Sequence, residues 1–469
     1  MQGFLRVFGV QSGNGTFVIQ TQFQQLITSL LQVGLILASV AIGPFSTSFG
    51  RRAGLVVASV IGCIGITIQV LVTAQWPVYI GRLLLGISNG IYVNMTVLYI
   101  SEAAPAHLRG LMVAVFQPFV NLGGFIGALI SNALQSNLTK HSYQIQLGIL
   151  YIVPVWLFFH RLAYTRVATL ACGGTSLEEI EEELRNIQES IIAEKQISST
   201  VAWKDIWKGP DLRRTLLCVA CATFHAASGV NFLIGYGTFF FQIAGTTRPF
   251  TDTIILQSVN LGTSLFALPL ARRFGRRTIL LWGFGATTCS MFAVALIYTL
   301  TVSSQTAASG KALVAMLCVF LGTYGATIGP LSWITAGEMA ANRLRSYAFG
   351  LGMAIGFFFA WLTVFTTPYF INREGLNWGG KVAWIWAPSN LVTFVFVYFF
   401  LPETKGRKLE ELDELFYNRV SARKFSSYKC SSRVELLESE KENHEQLPSS
   451  SMKLADEKAN VNIVTTDSF

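Results

Sequence analysis

The fold is decided by residues 253–300, which read TIILQSVNLGTSLFALPLARRFGRRTILLWGFGATTCSMFAVALIYTL. Two apolar runs, 253–271 and 278–300, lie on either side of a basic link at 272–277. A helix of about twenty apolar residues crosses a hydrocarbon core of roughly 30 Å. The stretch therefore predicts two membrane-spanning helices joined by a short, positively charged loop.

The same pattern extends along most of the chain. Of the 469 residues, 52% are hydrophobic and 13% are charged, which is about half the charged fraction of an average soluble domain. Eleven apolar runs are found, at 26–46, 55–73, 78–99, 113–135, 145–160, 215–242, 253–271, 278–300, 312–335, 347–370 and 382–401. The alternating polarity of a membrane barrel is missing, so we predict an all-α integral membrane protein.

Clusters of arginine predict the orientation in the membrane. The clustered arginines are Arg51, Arg52, Arg109, Arg343, Arg345 and those at 272–277, and the links that hold them fall on one side. The positive-inside rule makes that side cytoplasmic. With eleven spans the chain begins outside and ends in the cytoplasm, and we expect a multi-pass protein of the plasma membrane. These loops also explain the formal charge of +9 without a nucleic-acid partner.

One long connection divides the chain. Residues 1–160 hold five predicted spans, and residues 214–402 hold six. The linker at 161–213 contains an acidic, amphipathic stretch at 176–188 that predicts a cytoplasmic helix. Residues 403–469 are polar and rich in Ser, Glu and Lys, so we predict a disordered cytoplasmic tail.

Two internal repeats indicate that the two bundles are related. GPFSTSFGRR at 43–52 recurs as LPLARRFGRR at 268–277, and each copy lies between two spans. A carboxylate that closes a span is followed seven residues later by an arginine, first as Glu102 and Arg109 and again as Glu338 and Arg345. Duplicated helix bundles are typical of secondary transporters, in which two halves move about a central site.

The repeated charges predict a latch between the cytoplasmic ends of the spans. An alternative interpretation is that the arginines only fix the topology. The candidate latch residues are Arg51, Arg52, Glu102 and Arg109 in one half, and Arg276, Arg277, Glu338 and Arg345 in the other.

Residues 402–412, PETKGRKLEEL, resemble the signature that follows the last span in the sugar porter family of major facilitator carriers, especially its fungal branch. Gly81-Arg82, the GPLSW at 329–333 and the NRLRS at 342–346 are similar to further motifs of that family. The resemblance implies a twelve-span major facilitator fold of two pseudo-symmetric bundles. Residues 3–9 look like the segment after the first span, so the eleven predicted spans are twelve minus the first.

The resemblance also implies a substrate site without metal or cofactor. Sugar hydroxyls need groups that donate and accept hydrogen bonds, and sugar rings pack on aromatic planes. Where the family has paired glutamines this chain has His225-Ala226, and His225 is the candidate to restore one contact. The candidate binding residues are Gln117, His225, Asn231, Tyr236, Asn260, Trp333 and Trp361. Amides inside spans also serve as interhelical contacts, and tryptophans also belong to the interfacial belt.

The predicted function is transmembrane transport of a monosaccharide such as a hexose by alternating access, as a uniporter or a proton symporter. The expected partners are the sugar, the lipid bilayer and, for a symporter, protons. Polyols, disaccharides and quinate stay open as alternative substrates. The alternative functions are a sugar sensor that signals without transport and an inactive truncated product. We predict no enzymatic activity because the sequence has no nucleophile-base constellation, metal-ligand spacing or phosphate loop.

Overall fold

The computed structural model describes residues 2–11, 17–18, 20–103, 109–135, 139–157, 203–243, 248–301, 307–341, 344–371, 376, 378–407, 409–425 and 427–428. Most of these residues are helical. The described α-helices include α1 (Gln2–Phe8), α2 (Thr21–Leu71), α3 (Gln75–Ala103), α4 (Arg109–Leu134), α5 (His141–Gly148), α6 (Gly209–Ala227), α7 (Val230–Ile243), α8 (Pro249–Arg273), α9 (Arg276–Thr301), α10 (Ala307–Ala326), α11 (Ile328–Met339), α12 (Arg345–Ile371), α13 (Ala383–Phe400) and α14 (Leu409–Tyr417). Residues 152–157 are also helical. Two short strands, β1 (Val10–Gln11) and β2 (Phe17–Val18), form an antiparallel pair.

Eight helical segments of the described part are long and apolar enough to cross a membrane. They are Thr21–Ile42, Ala53–Leu71, Gly209–Gln242, Pro249–Ala271, Arg276–Thr301, Ala308–Met339, Tyr347–Ile371 and Gly379–Phe400. Each contains most of one predicted span. The predicted spans 78–99 and 113–135 fall on α3 and α4, and 145–160 begins within α5. The chain is therefore a helical multi-pass membrane protein, and the total of eleven spans stays a prediction.

The helices of the two predicted bundles pack against each other along several seams. In the first bundle α2 packs along α3, and it bends at Gly50, whose φ is 77°. In the second, α8 packs on α10 and α9 on α13. Between the bundles, α12 contacts α2 and α4 contacts both α8 and α11. The two bundles therefore face each other along these helices.

The predicted linker lies mostly outside the described residues, and so does the predicted amphipathic helix at 176–188. The described end of the linker has a 3-10 helix, Trp203–Trp207, followed directly by α6. The second bundle therefore begins at Gly209, a few residues before the predicted boundary at 214.

The prediction of a disordered tail from 403 is wrong for its first part. Helix α14 buries Leu412, Leu415 and Phe416, which are spaced to share one face. The buried Arg214 of α6 pairs with Asp413 and donates to the carbonyls of Met339 and Ala340, at 3.0 and 3.2 Å. Burial of this apolar face and satisfaction of an interior guanidinium explain why so charged a segment is ordered. Residues 429–469 lie outside the described part.

Candidate functional site

The span 209–242 is broken at Ser228 and Gly229, which separate α6 from α7. Gly229 has φ of 84°, a conformation that L side chains rarely adopt. A Cβ at this position would also lie 2.6 Å from the Trp386 ring of α13. The break brings His225, from the end of α6, and Asn231, from the start of α7, to one cavity.

Helix α13 satisfies the backbone groups that this break exposes. Asn390 donates from Nδ2 to the Ser228 carbonyl at 3.0 Å, and Ser389 donates to the Ala227 carbonyl at 2.8 Å. The Oδ1 of Asn390 accepts from Thr287 of α9 at 3.0 Å. Buried carbonyls in a membrane have no water to bond, so these side chains replace the lost helical partners.

A second break separates α10 from α11 at Thr327, where φ is −126° and ψ is −75°. Pro330 lies in the first turn of α11, where its missing N–H does no harm. The Thr327 hydroxyl donates to the Thr323 carbonyl of its own span at 2.6 Å. This break places Trp333 one turn into α11, beside the same cavity.

The cavity has a volume of about 130 Å³ and lies between the two bundles. That is below the roughly 300–1,000 Å³ of pockets for drug-sized ligands, so it suits a small solute. The residues that line it are Gln32 and Leu35 of α2, Ala222 and His225 of α6, Asn231 of α7, Trp333 of α11, and Met353, Gly356, Phe357 and Ala360 of α12.

Three lining side chains have buried polar atoms without a hydrogen-bond partner among the described residues. These atoms are Oε1 of Gln32, Nδ2 of Asn231 and Nε1 of Trp333. The first accepts hydrogen bonds and the other two donate them. Buried polar groups in folded proteins are normally hydrogen-bonded, so these three are available to a polar ligand that both donates and accepts.

Aromatic rings form one side of the site. The His225 ring lies 5.6 Å from the Trp333 ring and 5.7 Å from the Tyr324 ring, with edge-to-face geometry toward Tyr324. Trp333 in turn lies 6.5 Å from Phe357. These contacts hold the indole at the cavity and leave its N–H as the unpaired group.

Of the seven candidate residues, His225, Asn231 and Trp333 line the cavity, whereas Gln117 and Asn260 do not. Gln117 donates to Asn121 at 3.1 Å, and Asn121 donates to Asn260 Oδ1 at 3.3 Å. This buried amide chain joins α4 to α8 across the two bundles. The interhelical interpretation therefore describes both residues in this conformation, and their contact with substrate stays a prediction.

Tyr236 lies at one end of the cavity. Its hydroxyl donates to the Val364 carbonyl at 3.1 Å and lies 2.9 Å from the hydroxyl of Thr28. Thr28 is one helical turn from Gln32 on α2, and Val364 is one turn beyond Ala360 on α12. Three helices thus meet just past the cavity and close it there.

Beyond the opposite end of the cavity, α12 packs closely on α2. A Cβ added to Gly350 would lie 3.2 Å from Ile42 and from the Ser39 carbonyl. Glycine therefore allows α12 to approach α2 closely one turn beyond Met353, on the side away from Tyr236.

Trp361 is not among the residues that line the cavity. Its ring stacks on Phe365 at 5.2 Å and lies 5.7 Å from Phe358. The α12 aromatic beside the cavity is Phe357, about one turn earlier. Gln32 and Phe357 are the site residues that the sequence analysis missed. Gln32 is an amide within an apolar run, and nothing local to it shows which way it faces.

The charged cluster of the second bundle contains one pair of the candidate latch residues. Arg276 pairs with Glu338 at 3.2 Å, and Glu338 also accepts from Thr404 at 2.5 Å. Arg277 instead donates to the Tyr398 carbonyl at 2.7 Å. Arg345 begins α12.

The signature at 402–412 takes part in the same cluster. Glu403 accepts from the backbone N–H groups of Arg276, Thr404 and Lys405 and so caps the start of α9. In the first bundle the side chains of Arg51, Arg52, Glu102 and Arg109 lie outside the described part, so their latch stays a prediction.

The two helix bundles with a small cavity between them have the major facilitator fold. The proton:xylose symporter XylE, a member of the major facilitator superfamily, has the same fold, with a TM-score of 0.69, 18% identity, and coverage of 88% of this chain and 92% of that one. The inward-open xylose transporter XylE from E. coli gives a TM-score of 0.65 at 19% identity, covering 88% and 94%.

Sequence comparison then shows the family. The model of the family "Sugar (and other) transporter" matches residues 1–416, and the chain belongs to that family. A low-affinity glucose transporter of Kluyveromyces lactis is 28% identical over 92% of this chain and 80% of its own. The major facilitator-type transporter ecdD of Aspergillus rugulosus is 27% identical over 88% and 82%.

Proposed function

We propose that this protein carries a monosaccharide-sized sugar across the membrane by alternating access. The observation that carries the proposal is the set of three unpaired buried groups, on Gln32, Asn231 and Trp333, beside one small cavity between the bundles. One acceptor and two donors match the hydroxyls of a sugar, each of which donates and accepts. No covalent step is required of any residue.

The contacts at the two ends of the cavity support a rocking mechanism. One is hydrogen-bonded, through Tyr236, Thr28 and Val364, and the other is packed, through Gly350. Both lie on the seam between α2 and α12, so tilting of one bundle against the other opens one end while the second stays closed. The amide chain from Gln117 to Asn260 joins the bundles at a separate seam.

Relatives support the choice of substrate class. The Kluyveromyces lactis relative is a glucose transporter, and the XylE structures are of a xylose transporter. We therefore propose hexoses and pentoses as the first solutes to test. Uniport and proton symport are separated by whether a proton gradient drives accumulation against the sugar gradient.

We further propose that the end with Arg276, Glu338 and α14 faces the cytoplasm of a plasma-membrane protein, with bundles at 1–160 and 214–402. The pairing of Arg276 with Glu338 supports a latch that is closed in this conformation. Its partners join α9, α11 and the segment after α13, so separating these ends breaks the pair.

Uptake by the purified full chain in proteoliposomes tests the proposal. Asn231→Ala removes a cavity amide, and we expect uptake of labelled glucose or xylose to fall at least about tenfold. Asn418→Ala makes the same change at an exposed residue that directly follows α14. It is the matched control, and we expect it to leave uptake unchanged. Wild-type uptake in the Asn231 variant, at equal amounts of folded protein, would contradict the site.

The sensor alternative makes a different prediction. A sensor would bind sugar without moving it across the vesicle membrane. Binding measured on wild-type protein that shows no uptake in either direction would replace the transport proposal.

A further inference from the structure

The wall that α12 contributes to the cavity has no hydrogen-bonding side chain. Its lining residues are Met353, Gly356, Phe357 and Ala360. Their spacing of three, four and seven residues is that of one helix face. The polar lining groups all stand on other helices, namely Gln32 on α2, His225 on α6, Asn231 on α7 and Trp333 on α11. The cavity is therefore amphipathic, with a polar side and an apolar side.

The backbone carbonyls of this wall already accept hydrogen bonds within the helix. Residues 353–360 lie within the uninterrupted helix α12, where each carbonyl bonds an N–H four residues on. Beyond them, Thr363 returns its hydroxyl to the Phe359 carbonyl at 2.9 Å. Met353 and Ala360 are 1% and 4% exposed, so this part of the wall is shielded from bulk water. A sugar hydroxyl directed at this wall would lose its water partners and gain none.

We infer that the preferred solute carries hydroxyls along one edge and an apolar edge that faces α12. The chemical class is a deoxy or O-alkylated monosaccharide, in which a hydrogen or methyl group replaces a hydroxyl. The inference rests on the proposed function and specifies its substrate. A C–H edge of such a sugar packs on Phe357 and Met353, where a fully hydroxylated hexose would place a hydroxyl without a hydrogen-bond partner.

Equilibrium binding of a matched sugar series to the purified full chain tests the inference. The series is glucose, its 2-, 3-, 4- and 6-deoxy derivatives and methyl glucoside. We expect at least one derivative to bind about five- to 150-fold more tightly than glucose, the range for one unpaired hydroxyl avoided. Glucose binding as tightly as every derivative would overturn the inference and leave the proposed function standing. Absence of binding by every sugar would overturn both.

A substitution on the wall provides a second, independent measurement. Met353→Gln keeps the length of the side chain and adds an amide that donates and accepts. We expect the preference for the derivative over glucose to shrink about tenfold or more. Met353→Leu is the matched control, since it keeps the wall apolar and nearly conserves volume, and it should leave the ratio unchanged.

The ratio of two affinities within one variant cancels any general loss of folded protein. If Met353→Gln does not fold, Phe357→Tyr adds a hydroxyl to the same wall and makes the same prediction. An unchanged ratio in a folded polar variant would contradict the inference.

Discussion

Two spans of the second bundle are broken beside the cavity, and the breaks are held by different means. At Ser228 and Gly229 the exposed carbonyls are bonded by Ser389 and Asn390, which belong to another span. At Thr327 the hydroxyl bonds a carbonyl of its own span. The first break therefore depends on distant hydrogen bonds, whereas the second depends on local sequence and close packing. Substitutions of equal size should have unequal effects at the two places.

The largest effect is expected for Gly229→Ala. An added Cβ would occupy a left-handed backbone position and meet the Trp386 ring at 2.6 Å. Backbone strain and overpacking together should lower stability by about 3 kcal/mol or more. Thermal unfolding of the purified protein checks this. Gly235→Ala on the same helix α7 is the control, since its Cβ would meet no atom within 4 Å; equal melting temperatures for the two variants would contradict the assignment.

Asn390→Leu should have the next largest effect. The variant leaves the Ser228 carbonyl without its donor and Thr287 without its acceptor on Asn390, so we expect a loss of about 2–3 kcal/mol. Because His225 and Asn231 flank the break, sugar affinity should fall as well, although Asn390 does not line the cavity.

Ser389→Ala gives a graded comparison for Asn390→Leu. It removes a single hydrogen bond to the same break and should cost about 1 kcal/mol. Unchanged sugar affinity in folded Asn390→Leu protein would show that α13 does not position the break.

Gly283→Ala tests the second break through packing. An added Cβ would collide with the Thr327 hydroxyl and lie 3.2 Å from Ile328. Overpacking of this kind should cost about 2 kcal/mol. Gly285→Ala on the same helix α9 is the matched control, because its nearest neighbour, Phe394, would be 3.7 Å away. Denaturation midpoints of the two variants are compared, and a stable Gly283 variant would remove the packing argument.

The smallest effect is expected for Thr327→Val. The variant keeps the shape of the side chain and loses only the bond to the Thr323 carbonyl, so we expect about 1 kcal/mol or less. A loss as large as that of Asn390→Leu would erase the proposed difference between the breaks.

The sequence predicted the described spans because each lies in a long apolar run. It predicted related loops at 43–52 and 268–277 because the two segments share the residues FGRR. The resemblance to the sugar porter family selected both His225 and Asn231, and both line the cavity. The sequence analysis did not predict that Asn390 bonds the break at Ser228 and Gly229. The contact joins residues 162 positions apart, and no local pattern encodes it.

The differences between the expected positions and the residues that line the cavity have equally local causes. Trp361 and Phe357 differ by about one helical turn, and resemblance to a family motif favoured the tryptophan over the residue that faces the cavity. Gln117 and Asn260 were predicted as sugar contacts because the resemblance to the sugar porter family implies substrate-facing amides at these positions. Asn121 bonds both, which a sequence without coordinates does not show. In the tail, disorder was predicted from the polar, Ser-, Glu- and Lys-rich composition, and the helical spacing of the buried Leu412, Leu415 and Phe416 was not used.

The hydrogen bonds around Tyr236 determine how readily a solute enters the cavity from that end. Three hydrogen bonds join the helices there: Gln25 to the Phe365 carbonyl, Tyr236 to the Val364 carbonyl, and the pair of hydroxyls on Thr28 and Tyr236. At about 1 kcal/mol each, they alone would keep that mouth shut in roughly 99 of 100 molecules. A sugar arriving from that side would then bind with an apparent affinity about a hundredfold weaker than its intrinsic one. The same protein would thus have different half-saturating concentrations on the two faces of the membrane, without any difference in the residues that touch the sugar.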